Sequence, residues 1–310
     1  MKICIAYDGS PCAQDALDDL TRAGLPSIAE ARIVAIADVF LPPPTPPGPL
    51  LPADIPPPVQ QSWMQAEQAV ENARGLAQRA QNQVQTLFPC WQVDAMASAD
   101  SPAWGIIKQV DDWHPDLLLV GSHNRSTLGR LMLGSVSQTV VAEARCSVRV
   151  ARRPLKASSE PVQILIGVDG STDALAAVQS IAARSWPVGS TVRLVTLLDT
   201  RMRTALAPAQ PQVGPWLGSS DTAPHDWVQR MLVTFQQPLE AAGLTVSTLI
   251  KEGDPKNVLP AEAEQWGADC LVVGARGLSR IERFVIGSVS IAVAARAHCS
   301  VEVVRPPRVG

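Results

Sequence analysis

The sequence repeats itself, and this repeat limits the folds open to the chain more than any other feature. The segment MKICIAYDGS at 1–10 matches PVQILIGVDGS at 161–171, each an apolar run that ends in Asp-Gly-Ser. Further on, LMLGSVSQTVVAEARCSVRVARRP at 131–154 matches FVIGSVSIAVAARAHCSVEVVRPP at 284–307. Two matched copies along one chain predict two tandem domains with the same fold.

We place the first domain at residues 1–153 and the second at residues 161–307. The stretch RRPLKASSEP at 152–161 carries charges, serines and prolines, a composition that is typical of a linker. A chain of 310 residues is long enough for each domain to bury its own core.

Within each copy, short continuous apolar runs alternate with helical segments. The runs lie near 2–7, 31–37, 92–98, 116–121 and 147–151, and near 162–168, 191–198, 245–250, 269–274 and 300–304. Such runs are typical of strands covered on both faces, and helices such as 63–87 and 225–242 suit parallel crossovers. The sequence therefore predicts an α/β fold with two tandem, doubly wound, five-stranded parallel sheets of the Rossmann-like type.

Composition excludes several classes of partner. The net charge is −3 and the basic residues are scattered, which argues against nucleic acid or an anionic membrane as the partner. No apolar run approaches membrane-spanning length. The six cysteines are scattered without CxxC pairs, mostly inside apolar runs, so we expect buried thiols and a cytoplasmic protein.

The first strand of each copy ends in the same turn, at 8–10 and at 169–171. The glycine lets the chain leave the strand, and the serine caps the following helix. The turn itself needs no acid, so Asp8 and Asp169 are candidates either for contact with a ligand or for simple capping.

A glycine pattern follows the fourth strand of the second copy. Gly274 and Gly277 lie in a loop, and Gly287-Ser288 opens a helix whose free N–H groups favour an anion. The pattern predicts a phosphate cradle without the lysine of a P-loop, because GxxxxGK[ST] is absent from the chain. Turn formation and close packing are the alternative reasons for these glycines.

The spacing Gly-x2-Gly-x9-Gly-Ser, after a first strand that ends in Asp, resembles the nucleotide-binding motif of the universal stress protein family. The resemblance covers nearly the whole chain and implies the strand order 3-2-1-4-5, with ATP as the cofactor, with or without Mg²⁺. It implies that Asp169 contacts adenine or ribose and that Leu197 offers its backbone to adenine. It further implies that ribose and phosphates are held by Gly274, Gly277, Gly287, Ser288 and the backbone of Val289.

The first copy departs from this pattern at one position. Asn124 stands where the second glycine is expected, and its side chain would project where a phosphate needs bare backbone. The matching residues Asp8, Ile36, Gly121, Gly134 and Ser135 are retained. Whether the first domain binds nucleotide is therefore open.

Other segments add weaker expectations. The loop arginines Arg125, Arg130, Arg276, Arg280 and Arg283 could pair with phosphates, although solvated surface arginines are the more common case. The proline-rich run at 41–58 is expected to form neither helix nor strand. The last strand of each copy would be an edge, so we expect the two domains to pair within the chain, and a homodimer is a further option.

Three functions fit the sequence. The first is an ATP-binding stress-response module that changes shape or partner with its nucleotide. The second is a weak ATP hydrolase, although no SGGxDS loop, metal-binding acidic pair or Ser-His-Asp order occurs in the chain. The third is a dimer-forming scaffold that binds no nucleotide.

Overall fold

The computed structural model describes residues 1–39, 57–122, 133–154, 156–198, 224–278 and 286–306. The first half contains β1 (Lys2–Ala6), α1 (Pro11–Asp19), a 3₁₀ turn (Leu20–Arg22), β2 (Glu30–Ala37), α2 (Pro57–Leu87), β3 (Gln92–Ala99), α3 (Pro102–Trp113), β4 (Leu117–Gly121), α4 (Ser135–Glu143) and β5 (Ser147–Ala151). The second half contains β6 (Gln163–Gly167), α5 (Thr172–Ala182), β7 (Thr191–Leu198), α6 (Pro224–Ala241), β8 (Thr245–Glu252), α7 (Pro255–Trp266), β9 (Cys270–Gly274), α8 (Ser288–Arg296) and β10 (Ser300–Val304).

All ten predicted strands are present, within two residues of the predicted bounds. One expectation about helices is wrong. Pro57 and Pro58, assigned to the proline-rich connector, form the start of α2. Proline is accepted there because the first N–H groups of a helix have no partner inside it. The rest of that connector, up to residue 56, lies outside the described residues.

The strands form one continuous sheet in the order β3-β2-β1-β4-β5-β10-β9-β6-β7-β8. Within each half all pairs are parallel and follow the order 3-2-1-4-5, so β1 lies beside β4 and β6 beside β9. The halves meet where β5 pairs antiparallel with β10. The expected pairing of the two edges within the chain is thus confirmed.

Helices cover both faces of this sheet. On one face, a single apolar core crosses the joint between the halves and includes Val148 and Val150 of β5 with Val301 and Val303 of β10. On the other face, each half has a core of its own, under α1 and α2 in the first half and under α5 and α6 in the second. This second face is where α1 and α5 flank the joint.

Candidate functional site

The Asp-Gly-Ser turns have the predicted structure in both halves. Gly9 and Gly170 take left-handed backbone angles, with φ of 77° and 84°, which glycine adopts without steric cost. The Ser10 and Ser171 hydroxyl oxygens each accept a backbone N–H three residues later at 3.2 Å, and so cap α1 and α5. Both serines are N-caps, as the sequence predicts.

The aspartate of the second turn connects two loops. Asp169 Oδ1 accepts the Ser171 N–H at 3.0 Å, and Asp169 Oδ2 accepts the Leu278 N–H at 3.2 Å. Burial raises the pKa of this carboxyl above its usual value, although the hydrogen bonds from Ser171 and Leu278 act in the opposite direction. Asp169 therefore ties the turn after β6 to the glycine loop after β9. In the first half, Asp8 is exposed and accepts the Ser10 N–H at 2.9 Å.

Two glycines of the second-half loop lie against neighbouring atoms. A Cβ atom at Gly277 would stand 2.7 Å from Asp169 Oδ2, so glycine is what lets the carboxylate approach the loop. A Cβ atom at Gly274 would stand 2.7 Å from the carbonyl carbon of Asp173, in the first turn of α5. Close packing thus explains both glycines without reference to a ligand. The sequence analysis gave close packing only as an alternative reason for these glycines.

The helices α4 and α8 begin at the carboxyl ends of the strands of their own halves, which lie at opposite edges of the continuous sheet because the strands of the two halves run antiparallel. Gly134 and Gly287 are their N-caps and carry no side-chain cap, and Ser135 and Ser288 begin the helices with exposed side chains. The Gly287 N–H donates to the Ala275 carbonyl at 2.7 Å, which holds α8 against the glycine loop. Uncapped N–H groups and the helix dipole favour an anion at both termini.

The far ends of these two helices are held by the opposite half. Arg152, which follows β5, donates to the Ala294 carbonyl of α8 at 2.7 Å. Arg305, which follows β10, donates to the Val141 carbonyl of α4 at 3.0 Å. These arginines occupy equivalent positions in the two copies, so each half satisfies terminal carbonyls of the other half's helix.

Two buried serines at the site were missed by sequence reasoning. Ser137 Oγ donates to the Gly121 carbonyl at 2.7 Å, and Ser290 Oγ donates to the Gly274 carbonyl at 2.8 Å. They join the first turn of each helix to the end of the adjacent strand. The repeated GSVS sequence contained the signal, because both copies keep the second serine as well as the first.

A cavity of about 310 Å³ lies at the carboxyl ends of the first-half strands. Three of the predicted site residues line it, namely Asp8, Ile36 and Gly121. The neighbouring Tyr7 and Asp38, which sequence reasoning did not select, also line it. Val34, Ile106, Val120 and Val136 make much of the wall apolar. Residues 123–132, with His123, Asn124, Arg125 and Arg130, lie outside the described part of the chain.

The predicted residues Leu197 and Val289 are not among the residues that line this cavity. Leu197 lies near the carboxyl end of β7 with its side chain buried in the core that crosses the joint. Val289 lies in the first turn of α8, at the position equivalent to Val136 in α4. Within the described residues, no group of three His, Cys, Asp or Glu side chains could hold a metal ion.

Arg276 has a partner within the protein. Its Nε and Nη2 atoms donate to both carboxylate oxygens of Asp173 at 2.9 Å, and its backbone N–H donates to Asp173 Oδ2 at 3.1 Å. Asp173 is 2% exposed. The interpretation of Arg276 as a solvated arginine is therefore wrong. The equivalent residues in the first half are Cys12 and His123, so that half lacks the residues for this ion pair. Arg280 and Arg283 lie outside the described residues.

Comparison with known proteins agrees with this architecture. The model of the universal stress protein family matches residues 1–152 and 163–305. The chain belongs to this family. It is the tandem form, since the model matches twice. None of the helices in the described segments has the length and hydrophobicity needed to cross a membrane.

Individual relatives show the same relation. A universal stress protein of Staphylococcus haemolyticus is 31% identical over 144 residues, which make up 46% of this chain and 83% of the relative. A Staphylococcus aureus relative is 29% identical over the same length, 82% of its own chain. The solved structure of a universal stress protein from Archaeoglobus fulgidus aligns with a TM-score of 0.66 at 16% identity, covering 98% of both chains. This last similarity shows the shared fold of the tandem form.

Proposed function

We propose that this universal stress protein is a cytoplasmic stress-response module that binds ATP and changes its conformation or partner with the nucleotide. The cavity between Asp8, Ile36 and Gly121 is the observation that carries the proposal. It lies beyond the carboxyl ends of β1 and β4, where strand order reverses, and ligands of open α/β sheets bind at such positions. We assign a second site of the same kind to the equivalent residues in the second half, Asp169, Leu197 and Gly274.

The residues present suit an adenine nucleotide. A volume of about 310 Å³ falls at the small end of the range for ligand pockets. Ile36 and Ile106 offer an apolar wall for a flat base, while Asp8 and Asp38 offer acceptors for ribose hydroxyls or the amino group of adenine. The uncapped N-terminus of α4 suits the phosphates.

In the second half, the same roles fall to Gly277, Gly287, Ser288 and Val289. The amide groups at the start of α8 would face the phosphates, with the Ser288 hydroxyl as an additional donor. Asp169 is held in place by the Leu278 N–H, which favours a fixed position beside the ribose. Mg²⁺, when bound with ATP, would be held largely by phosphate oxygens and water.

Calorimetric titration of ATP tests the proposal with a matched pair of variants. Val136→Trp fills the first-half cavity, and Val289→Trp makes the same change at the equivalent position of the second half. We expect two binding events in the wild type, loss of one in each variant and loss of both in the double variant. Val233→Trp, at an exposed position on α6, serves as the control and leaves both events intact. Absence of ATP binding in the wild type would refute the proposal and favour the scaffold.

Two further variants separate the remaining alternatives. Gly277→Asn copies Asn124 into the second half, and loss of only one binding event would mean that the first half tolerates asparagine. Mg²⁺-dependent phosphate release that copurifies with the protein and disappears in Gly287→Val would instead indicate a weak ATP hydrolase. The Gly287 position is informative because a Cβ atom there would lie 3.2 Å from the Ala275 carbonyl.

A further inference from the structure

The joint between the halves has a local two-fold axis, and one residue pair lies on it. In the antiparallel pairing of β5 with β10, Arg149 stands opposite Glu302. These two residues also occupy equivalent positions in the two copies, in SVRVA and SVEVV. The residues on either side are valines in both halves. Among the three paired positions, only the central one therefore distinguishes β5 from β10.

Both central side chains are buried within a row of four charges. Arg149 is 1% exposed and Glu302 is fully buried, and Arg149 Nη1 lies 3.3 Å from Glu302 Oε2. At one end, Asp19 of α1 accepts from Arg149 Nε at 2.6 Å. At the other end, Arg184, just after α5, donates from Nη1 to Glu302 Oε2 at 2.9 Å. The charges alternate along the row, and each half supplies one acid and one base.

Each half therefore has a neutral pair of its own, and the pairs differ in order. The first half places its base at the axis, and the second half places its acid there. If two first halves from different chains paired in the same register, Arg149 would face a second Arg149. Two second halves would bring Glu302 against Glu302. Buried like charges repel strongly because little water screens them.

We propose that the Arg149–Glu302 contact makes this edge selective for its partner. The β5 edge accepts an antiparallel strand with an acidic residue at its centre and rejects a second copy of β5. The chain consequently joins its own unlike halves instead of assembling through like halves. The flanking valines provide apolar contact for any combination of halves, so they do not distinguish like from unlike halves, whereas the central charges do. The Arg22–Asp269 ion pair is a further contact between the unlike halves.

Inverting one neutral pair at a time reverses the charge relation at the axis, and it also removes one hydrogen bond across the joint, from Ser300 to Asp19 or from Arg184 to the Ala23 carbonyl. Asp19→Arg/Arg149→Glu keeps an ion pair inside the first half but places two acids at the axis. Glu302→Arg/Arg184→Glu keeps an ion pair inside the second half but places two bases there. We expect either variant alone to lose the joined form, which sedimentation and small-angle scattering detect as an expanded chain. All four changes together restore opposite charges and are expected to return the scattering curve of the wild type. The variant with all four changes lacks both of these hydrogen bonds, so its recovery depends on the axis charges.

Mixing the two half-inverted chains gives the most direct test. Every axis contact between unlike chains then joins an acid to a base, so we expect a one-to-one heterodimer that exceeds either homodimer by about 100-fold. Half-inverted chains that sediment as the wild type would refute the proposal. A mixture that stays unassociated would also refute it.

A milder variant covers the case in which the inverted chains do not fold, as judged by circular dichroism. Glu302→Gln removes the charge at the axis while nearly preserving shape, so like halves no longer repel through β10. We expect at least about a tenfold gain in concentration-dependent dimer, by the same electrostatic argument. Glu262→Gln is the matched control, because Glu262 is also buried with two cationic partners, Arg193 and Lys251, but lies away from the joint. Equal association of the two variants would overturn the proposal.

Discussion

Replacing Gly277 by alanine tests how the glycine loop is held. The backbone of Gly277 is not in the left-handed region, so alanine brings no backbone strain. Among the residues that the structure describes, the group close to the new methyl is the Asp169 carboxylate, with Oδ2 at 2.7 Å. That oxygen has to move, and it then loses the N–H of Leu278. The effect of the substitution should therefore depend on Asp169.

The change in the free energy of unfolding caused by Gly277→Ala is the sum of two opposing contributions. A hydrogen bond to a charged group contributes about 1.5–3 kcal/mol, and the 3.2 Å length of this one favours the lower half of that range. Alanine at a compatible position stabilises by about 0.4–1 kcal/mol, because the unfolded chain has fewer conformations to lose. Gly277→Ala should thus lower the free energy of unfolding by about 1 kcal/mol. In the Asp169→Ala background, the clash is absent and the same change should stabilise by about 0.5 kcal/mol.

A double-mutant cycle by urea unfolding measures this coupling of about 1.5 kcal/mol. Gly75→Ala, in α2 with the nearest side-chain atom of Arg79 at 3.6 Å, is the control and should stabilise equally in both backgrounds. Gly274→Ala should be destabilising in both, because backbone atoms of α5 stand within 3 Å of the new methyl and cannot be removed by mutation. An equal cost of Gly277→Ala with and without Asp169 would refute this account of the loop.

The remaining predictions concern charge and thiols. Burial alone would raise the pKa of Glu302, but Arg184 and Arg149 more than offset this and hold it below its usual value. The stability that Glu302 contributes is therefore fully present above about pH 4.5 and is lost as the pH falls through the lower pKa of the folded state. When the urea midpoint of unfolding is plotted against pH, Glu302→Gln should therefore reduce the decline at acidic pH. Arg276→Ala leaves Asp173 buried without its cation and should lower the free energy of unfolding by about 3 kcal/mol. Arg276→Lys should have an intermediate effect, and a loss below about 0.5 kcal/mol in Arg276→Ala would contradict the prediction. Burial raises the pKa of Cys270 to about 11, so a thiol reagent at pH 8 should modify exposed Cys90 and reach Cys270 only after unfolding.

The fold could be predicted from the sequence because its signals are local and occur twice. Uninterrupted apolar runs mark strands buried on both faces, and each run in one half has a counterpart in the other. The Asp-Gly-Ser turns are equally local, since the cap and the glycine lie within three residues of each other. The start of α2 was missed because two prolines that exclude a helix interior are accepted in its first turn.

The contacts of the site could not be predicted in the same way because they join distant segments. Asp173 and Arg276 are far apart in sequence, and the residues around each of them do not indicate that the two side chains form an ion pair. The space beside Gly277 is likewise set by Asp169, which lies in another loop. The glycine pattern therefore identifies the loop correctly. The atoms that leave no room for a side chain at each glycine belong to another segment, so only the folded structure shows them.

The two halves agree at several contacts with the backbone and differ at two buried ion pairs. Gly121 and Gly274 both make room for a helix backbone, Ser137 and Ser290 both bind a strand carbonyl, and Arg152 and Arg305 both bind helix carbonyls. The halves share the backbone geometry at these positions, which accounts for the same residue type at each of them. An ion pair can be exchanged if both members change together, as with Asp173 and Arg276 against Cys12 and His123, or Asp19 and Arg149 against Ser180 and Glu302. Differences of the second kind are the ones through which two copies of one fold can acquire unlike sites and unlike edges.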